Sequence, residues 1–380
     1  MRFTRRELAG AVADLGVLVP IAVALIVKNG LSPTAVLLPA GLLYIAAATI
    51  YRLPVPVQPL KAFGAIAIAR GLGPNEIAAG AFLMGAIFFV LGSTGLIDLA
   101  GRAFPRTLIR GVQLTVGLLL LKIAWTLVSK PPKGFAHYAV ATRWALPLAV
   151  LVVVLAFALR RFPVGLALVG IGVLVTLILA GGKSGLGPST LHFPAWDAGM
   201  FWTALTVLVI PQVPLSFANS CLATADAAKT YFGEKAARVK PGRLATTFGA
   251  ANFISAGLSG MPVCHGAGGM TAHYAFGART GGAPLAVGSS LLVLALAAGS
   301  GLAALLAAFP LPILAGLLAT AGLLHVALLR DLRGVWSWVL ALTVGLVGFE
   351  VNLSYALALG LALWWIPRGA VRLRAATATG

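Results

Sequence analysis

Two short segments combine polar side chains with prolines or glycines inside an otherwise apolar chain. The first, RLPVPVQPLK (52–61), carries a glutamine and a lysine among three prolines. The second, GMPVCHGAGG (260–269), carries a cysteine and a histidine before a glycine-rich turn. A glutamine amide and an imidazole both donate hydrogen bonds, and the first turn of a helix adds unpaired N–H groups with partial positive charge. A helix beginning in each segment would therefore suit a small anion.

The candidate anion contacts lie on these two segments and on one further stretch, PQVPLSFANS (211–220). Two amides in that stretch are seven residues apart and so share one face of a helix. The full set of candidate substrate-binding residues is Gln58, Pro59, Lys61, Gln212, Asn219, Ser220, Cys264, His265, Gly266, Ala267 and Gly268.

Several of these residues also have a purely structural interpretation. The imidazole of His265 could bond a nearby carbonyl, and the amides of Gln212 and Asn219 could join neighbouring helices. Lys61 either offsets the charge of a dianion or pairs with Asp14. Asp14 is our candidate for coupling to a proton or sodium ion, because an ionisable group inside a membrane span is expensive and rarely incidental.

The rest of the chain has the composition of an integral membrane protein. Of its 380 residues, 60% are apolar and only 10% are charged, against about 25% charged in soluble domains. Apolar runs of membrane-spanning character occur at 8–27, 32–51, 75–97, 107–128, 143–160, 163–180, 201–224, 242–258, 283–307, 310–329, 334–350 and 352–367.

Two more apolar pieces, 58–70 and 265–276, are too short to cross a bilayer as helices. In the first piece, helix can begin only near Gln58 or Pro59, because the prolines before them force extended backbone. Counted as broken passes, each entered by a short extended strand, the two pieces bring the total to fourteen. We therefore predict an all-α polytopic fold with two inverted repeats of seven passes, 1–182 and 200–370, joined by a loop at 183–199. The broken passes are the third and the tenth, so their helix N-termini would face each other near the midplane.

The charge distribution predicts an orientation. The net charge is +19, and most of the 28 Lys and Arg residues fall in the connections on one side of this layout. The positive-inside bias then predicts that both termini lie in the cytoplasm. The same bias explains the excess of basic residues, so we expect no nucleic-acid binding. Two cysteines far apart indicate neither a disulfide framework nor a metal site, and we expect no cofactor.

Five stretches together resemble the molybdate transporter family, a branch related to the sulfate permease (SulP/SLC26-like) superfamily. They are DLGVLVP (14–20), PVPVQPLKA (54–62), PQVPLSFANS (211–220), MPVCHGAGGM (261–270) and FGARTG (276–281). The resemblance implies a core of passes 1–4 and 8–11 that carries substrate and a gate of passes 5–7 and 12–14. It also implies transport of molybdate by alternating access, in a prokaryotic inner or plasma membrane.

Other functions stay open at this point. Tungstate, sulfate or another oxyanion is the nearest alternative substrate, and a nucleobase permease is a more distant one. An intramembrane enzyme with Cys264 as nucleophile and His265 as base is disfavoured, because adjacent residues point in different directions and no third partner is evident. We expect lipid and a coupling proton or sodium ion as partners, no enzymatic activity, and leave a homodimer open.

Overall fold

The computed structural model describes residues 1–11, 15–97, 105–159, 164–180 and 185–378 of an integral membrane protein that is mostly helical. Among the described residues, seven helical segments are long and apolar enough to cross a membrane. They are Pro33–Tyr51, Pro74–Ser93, Arg106–Ser129, Ala198–Arg238, Gly282–Ala307, Leu311–Asp331 and Val335–Pro367. Helix is present in all twelve of the predicted long apolar runs, whereas the total of fourteen passes stays a prediction.

The described residues of the first half form eight α-helices and one short strand. They are α1 (Arg5–Ala11), α2 (Leu15–Asn29), α3 (Pro33–Tyr51), β1 (Gln58–Pro59), α4 (Lys61–Arg70), α5 (Pro74–Ser93), α6 (Arg106–Ser129), α7 (Thr142–Ala158) and α8 (Val164–Ala180). A 3-10 turn, Lys133–Tyr138, stands between α6 and α7.

The second half begins with one long helical run that contains two π-helical turns. Its parts are α9 (Ala198–Thr203), a π-helical turn (Ala204–Val209), α10 (Ile210–Leu215), a second π-helical turn (Ser216–Ala223) and α11 (Thr224–Phe232). A 3-10 turn, Gly233–Arg238, then leads to α12 (Pro241–Gly257), β2 (Val263–Cys264), α13 (Ala267–Ala275), α14 (Gly282–Ala307), α15 (Leu311–Ala327), α16 (Val335–Val347) and α17 (Leu353–Ala378).

The loop between the two halves is fixed to the helices beside it. Ser189 Oγ lies 2.6 Å from Ser32 Oγ and accepts a hydrogen bond from the Thr34 N–H at 2.9 Å. The loop ends at Asp197, whose carboxylate caps α9 by accepting from the Met200 N–H at 2.8 Å. Its described part, 185–197, therefore lies within the loop predicted at 183–199 and is held against α3.

Long helices from the two halves pack against each other through glycines. In the pair α3–α14, a Cβ on Gly41 would lie 3.0 Å from Gly288 O, and one on Gly288 would lie 2.8 Å from Gly41 O. In the pair α5–α12, the equivalent distances between Gly85 and Gly249 are both 3.1 Å. Small residues let membrane helices approach closely, so these glycines determine how near the helix axes can lie.

The two strands lie side by side in the middle of the protein. They pair antiparallel, with Gln58 opposite Cys264 and Pro59 opposite Val263. The pairing continues through the Leu60 N–H, which donates to Pro262 O at 3.2 Å. The prediction that helix begins at Gln58 or Pro59 was therefore wrong by two or three residues, because the backbone there pairs with a strand and turns helical only at Lys61.

Candidate functional site

The N-termini of α4 and α13 meet at the strand pair. Each strand leads directly into its helix, and because the strands are antiparallel the two helices leave in opposite directions. Leu60 and Gly266 occupy the N-cap positions, and neither helix has a side-chain cap at its N-cap residue. Backbone donors and the positive ends of two helices thus converge on one small volume.

The second short helix presents its first turn most openly. Its first internal hydrogen bond runs from the Met270 N–H to Gly266 O at 3.1 Å, so the N–H groups of Ala267, Gly268 and Gly269 precede it. Gly268 is exposed, and a Cβ built on it would meet nothing within 4 Å. An anion can therefore reach the backbone at this turn without meeting a side chain.

Four of the predicted residues come together at the junction of the two helices. The Lys61 ammonium donates to Gln58 Oε1 at 2.8 Å. Gln58 Oε1 also lies against Gly266, where an added Cβ would overlap it and would come 3.3 Å from Asn219 Nδ2. The amide oxygen of Gln58 thus lies near two potential donors, Lys61 and Asn219. An oxygen of a bound oxyanion requires donors of the same kind.

Gln212 lies nearby but is directed at the backbone. Its side chain is buried, and its Oε1 accepts from the Phe63 N–H in the first turn of α4 at 3.0 Å. Its Nε2 donates to Ser216 Oγ at 3.0 Å. In this conformation both ends of the amide are used within the protein, which favours the structural interpretation of Gln212.

The far end of α4 is also held by polar side chains. The Lys28 ammonium donates to Ile68 O at 2.6 Å, and Asn29 Nδ2 donates to Ala67 O and Leu72 O, both at 2.9 Å. A cation and an amide at a helix C-terminus satisfy carbonyl groups that the bilayer cannot. The short helix is thereby fixed at both ends.

His265 is fully buried one residue before the N-cap of α13. Its Nδ1 lies 2.9 Å from Pro56 O, and its Nε2 lies 3.0 Å from Thr247 Oγ1. Both ring nitrogens therefore have partners within the protein. This geometry ties β2 to the proline-rich segment and to α12, and in this conformation it directs neither nitrogen at the junction.

The other candidate side chains are those of Cys264, Ser220 and Asp14. Cys264 is buried with its thiol 3.9 Å from Pro59 O, and Ser220 is buried with no hydrogen-bond partner for its hydroxyl within the described residues. Asp14, the candidate coupling residue, lies outside the described residues. Over the described ranges no three His, Cys, Asp or Glu side chains are grouped as a metal site would require.

Two residues of the site region were missed at the sequence level. Asn252 on α12 is fully buried and makes two hydrogen bonds to Val263, through Nδ2 to the carbonyl at 2.9 Å and through Oδ1 to the N–H at 2.8 Å. Thr247, one helix turn earlier, contacts His265. A buried amide in an apolar helix is a signal for a structural role, but its partner eleven positions away is visible only in the fold.

The curated proteins similar to this chain are transporters. It is 29% identical to Molybdate transporter 1 of Arabidopsis thaliana over 367 residues, covering 86% of this chain and 80% of that protein. It is 27% identical to Molybdate transporter 1 of Chlamydomonas reinhardtii over 491 residues, covering 96% and 94% of the two chains. Both alignments include the two short helices and the strands before them, since they span nearly all of this chain.

The fold is that of solved anion transporters. The transmembrane domain of the cyanobacterial bicarbonate transporter BicA superposes with a TM-score of 0.66 at 20% identity, covering 94% of this chain and 98% of that one. SLC26A9 superposes with a TM-score of 0.65 at 17% identity, covering 95% of this chain and 64% of that one. These likenesses establish the architecture.

The family model described as "Molybdate transporter of MFS superfamily" matches residues 6–120 and 204–324. These two blocks contain both short helices, both strands and the stretch that bears Gln212 and Asn219. They cover more than half of the chain and confirm the resemblance seen in the sequence motifs. The chain belongs to the molybdate transporter family, with the fold of the SLC26-like anion transporters.

Proposed function

We propose that this protein is a secondary active transporter of molybdate, which it holds between the N-termini of α4 and α13. The observation that supports this most directly is the junction: two helix N-termini whose N-cap residues give no side-chain cap meet at one strand pair, beside Lys61, Gln58 and Asn219. Backbone N–H groups replace the hydration of a tetrahedral oxyanion without adding full charges. The candidate contacts are Gln58, Lys61, Asn219, Gly266 and Gly268.

The charge balance at the junction suits a ligand that must leave again. Lys61 is the basic residue that contacts the junction, through Gln58, and it opposes a dianion with only one full charge. A transport site has to bind strongly enough to select and weakly enough to release. Partial charges from two helices and one ammonium meet that requirement better than a cluster of arginines would.

Pairwise packing supports an inverted repeat with a core and a gate. The α3–α14 contact joins pass 2 to pass 11, and the α5–α12 contact joins pass 4 to pass 9, so a seven-pass shift converts one into the other. The same shift relates α6–α16 to α7–α15. The reciprocal glycine contacts in the first two pairs follow the same rule. We assign α1–α5 and α9–α14 to the core and α6–α8 and α15–α17 to the gate, which move against each other in alternating access.

An enzymatic function has little support in the site. His265 bonds Pro56 and Thr247, and the Cys264 thiol faces Pro59 O, so the two side chains do not form a nucleophile–base pair. The homologous curated proteins are transporters. We therefore propose transport without chemical conversion, with sulfate as the nearest competing substrate.

The membrane orientation follows from the charges. The positive-inside bias supports cytoplasmic termini, and we propose a prokaryotic plasma membrane as the location. Lipid is the surrounding partner. The coupling ion is proposed to be a proton or sodium.

The test is oxyanion binding and uptake by purified protein. Calorimetric titration with molybdate, tungstate and sulfate, followed by uptake into proteoliposomes, should show saturable molybdate and tungstate binding with weaker competition by sulfate. Gln58→Ala should weaken binding, because it removes an amide and leaves Lys61 without its partner at 2.8 Å. Folded protein that binds none of the three oxyanions would overturn the proposal, and tight sulfate binding with weak molybdate binding would reassign the substrate.

A further inference from the structure

A chain of hydrogen-bonded side chains connects His265 to the face of the protein at the start of α12. The Tyr51 hydroxyl lies 2.7 Å from Thr247 Oγ1, which lies 3.0 Å from His265 Nε2. On the other side of the ring, His265 Nδ1 lies 2.9 Å from Pro56 O. We call Tyr51, Thr247 and His265 the relay. It joins α3, α12 and the residue before the N-cap of α13.

The tautomer of His265 is determined by a carbonyl group. A carbonyl only accepts, so Nδ1 carries a proton and donates to Pro56 O. When the ring is neutral, Nε2 is an acceptor and takes the Thr247 hydroxyl hydrogen. The Tyr51 hydroxyl then donates to Thr247 Oγ1 at 2.7 Å or to Arg243 O at 3.1 Å, and every group in the relay has a partner.

The relay accommodates a second proton on His265 with almost no movement. A protonated Nε2 donates to Thr247 Oγ1, and the Thr247 hydroxyl hydrogen rotates to Leu244 O, which lies 3.0 Å away. Tyr51 continues to donate to Thr247, since a hydroxyl oxygen has two acceptor positions. Both charge states of the imidazole are thus fully hydrogen-bonded in one backbone conformation.

The relay also has access to water. Thr247 lines a cavity of ≈ 680 Å³ that opens at the start of α12, together with Lys240, Gly242 and Arg243. These residues lie on the side that the charge distribution assigns to the cytoplasm. A proton can therefore pass between water in this cavity and His265 Nε2 by way of the Thr247 hydroxyl.

The charges around His265 favour its cation only when an anion is present. Among the described residues, the titratable side chains that the contacts place in or next to the relay are Tyr51 on α3, Arg243 on α12 and Cys264 on β2 with Cys221 beside it, while Lys61 reaches the strand pair through Gln58. None of these groups supplies a negative charge at neutral pH, and Asp226 on α11, which packs against α13, is exposed. An oxyanion at the N-terminus of α13, one residue away, would supply it.

From this geometry we infer that His265 takes up the coupling proton of oxyanion transport, through the Thr247 hydroxyl. The inference rests on the proposed function, because the oxyanion stabilises the protonated ring and the proton stabilises the bound oxyanion. Such linkage is reciprocal. The proton comes from water in the cavity, resides on Nε2 while the oxyanion is bound, and returns to water when the oxyanion leaves.

The decisive measurement is the number of protons taken up when molybdate binds. Titration calorimetry at neutral pH in two buffers of different protonation enthalpy reports this number directly. Wild-type protein should take up close to one proton per molybdate, and His265→Gln, whose amide cannot be protonated but can still bond Pro56 and Thr247, should take up none. Molybdate binding without proton uptake by the wild type would overturn the inference and leave the proposed function standing. Absence of molybdate binding would instead refute the proposed function.

A second pair of variants keeps the test valid if His265→Gln does not fold. Thr247→Val keeps the side-chain shape and removes the hydroxyl that accepts from protonated Nε2, whereas Thr247→Ser keeps that hydroxyl. In proteoliposomes, an inward proton gradient should accelerate molybdate uptake at least about tenfold in the wild type and in Thr247→Ser, and by much less in Thr247→Val. Equal acceleration in the two Thr247 variants would overturn the role of the relay.

Discussion

Gln212 on α10 caps the first turn of α4: its Oε1 lies 3.0 Å from the backbone nitrogen of Phe63. The contact joins the two halves of the chain at the proposed substrate site. It also occupies one backbone donor, the Phe63 N–H, that an anion could otherwise use. The first internal hydrogen bond of the helix runs from the Gly64 N–H to Leu60 O at 2.7 Å, so the N–H groups of Lys61 and Ala62 remain available. Gln212, a candidate substrate contact in the sequence, therefore bonds the backbone of a helix that we propose binds the substrate.

Two substitutions of Gln212 separate its positioning role from electrostatics. Gln212→Met leaves the buried Phe63 N–H without an acceptor and should destabilise the protein by about 1–3 kcal/mol, seen as a lower melting temperature in detergent. Gln212→Glu keeps the acceptor and should retain most of the stability, yet its carboxylate would repel a dianion and reduce molybdate affinity more than Met does. If Gln212→Glu binds molybdate as well as the wild type does, the junction of α4 and α13 is not the anion site.

A methyl group on Gly266 should disrupt the junction directly. Gly266 has a φ of −162°, extended backbone that alanine adopts freely, so Gly266→Ala acts only through the overlap of its Cβ with Gln58 Oε1. Displacing Gln58 separates it from Lys61, and we expect molybdate affinity to fall at least about tenfold, equivalent to about 1.4 kcal/mol. The control is Gly170→Ala on α8, where an added Cβ meets nothing within 4 Å. Equal affinities for the two variants would show that Gln58 does not take part in binding.

Lys61 should supply the one full charge that the dianion meets at the junction. Lys61→Met keeps the aliphatic stem and removes the ammonium 2.8 Å from Gln58 Oε1, and we expect affinity to drop by about ten- to a hundredfold. Lys122→Met is a matched control, because Lys122 also lies in a predicted span, on α6, with its ammonium 5.3 Å from the ring centre of Phe349. A similar loss in both variants would indicate a general effect of positive charge instead of a local contact.

Much of the architecture was visible in the sequence because the bilayer restricts what an apolar chain can do. Spans of about 20 residues follow from bilayer thickness, and a proline-rich entry such as 52–59 excludes helix, so a short strand and a short helix were predictable at both positions. The starting residue of α4 was not, because it depends on pairing between Pro59 and Val263, more than two hundred positions apart. Long-range register of that kind leaves no local pattern.

The composition of the candidate site was predictable, but the roles of its members were not. Gln58, Lys61, Asn219 and Gly266 do meet at the junction. Residue type alone does not show whether an amide or imidazole is directed at a ligand or at a backbone group. A ligand and a backbone group can both satisfy the hydrogen bonds of such a side chain. His265 has protein partners on both ring nitrogens only because Thr247 and Pro56 are brought to it by α12 and the proline-rich segment.

The predicted orientation can be measured by labelling single cysteines from one side of the membrane. Both native cysteines, Cys221 and Cys264, are buried and form no disulfide within the described residues, so they should not react with a membrane-impermeant maleimide. Lys235→Cys, exposed in the 3-10 turn before α12, should be labelled only from the cytoplasmic side, and Lys133→Cys, exposed in the turn after α6, only from outside. Labelling of both from the same side would contradict an odd number of passes between them and with it the inverted repeat.

Asn252 should be the residue that keeps β2 in place. Its amide makes both hydrogen bonds that a neighbouring strand would make with Val263, at 2.8 and 2.9 Å, from a fully buried position on α12. Asn252→Leu leaves the N–H and carbonyl of Val263 unpaired, and we expect a loss of stability of about 2–4 kcal/mol together with weaker molybdate binding, because β2 positions the N-terminus of α13.

Asn252→Asp keeps the acceptor for the Val263 N–H but replaces the donor with an oxygen that faces a carbonyl. Its melting temperature should therefore lie at or below that of Asn252→Leu unless the carboxylate is protonated. Raising the pH should then lower the melting temperature of Asn252→Asp and leave that of Asn252→Leu unchanged. If both variants were as stable as the wild type, the strand pair would hold β2 in place without Asn252.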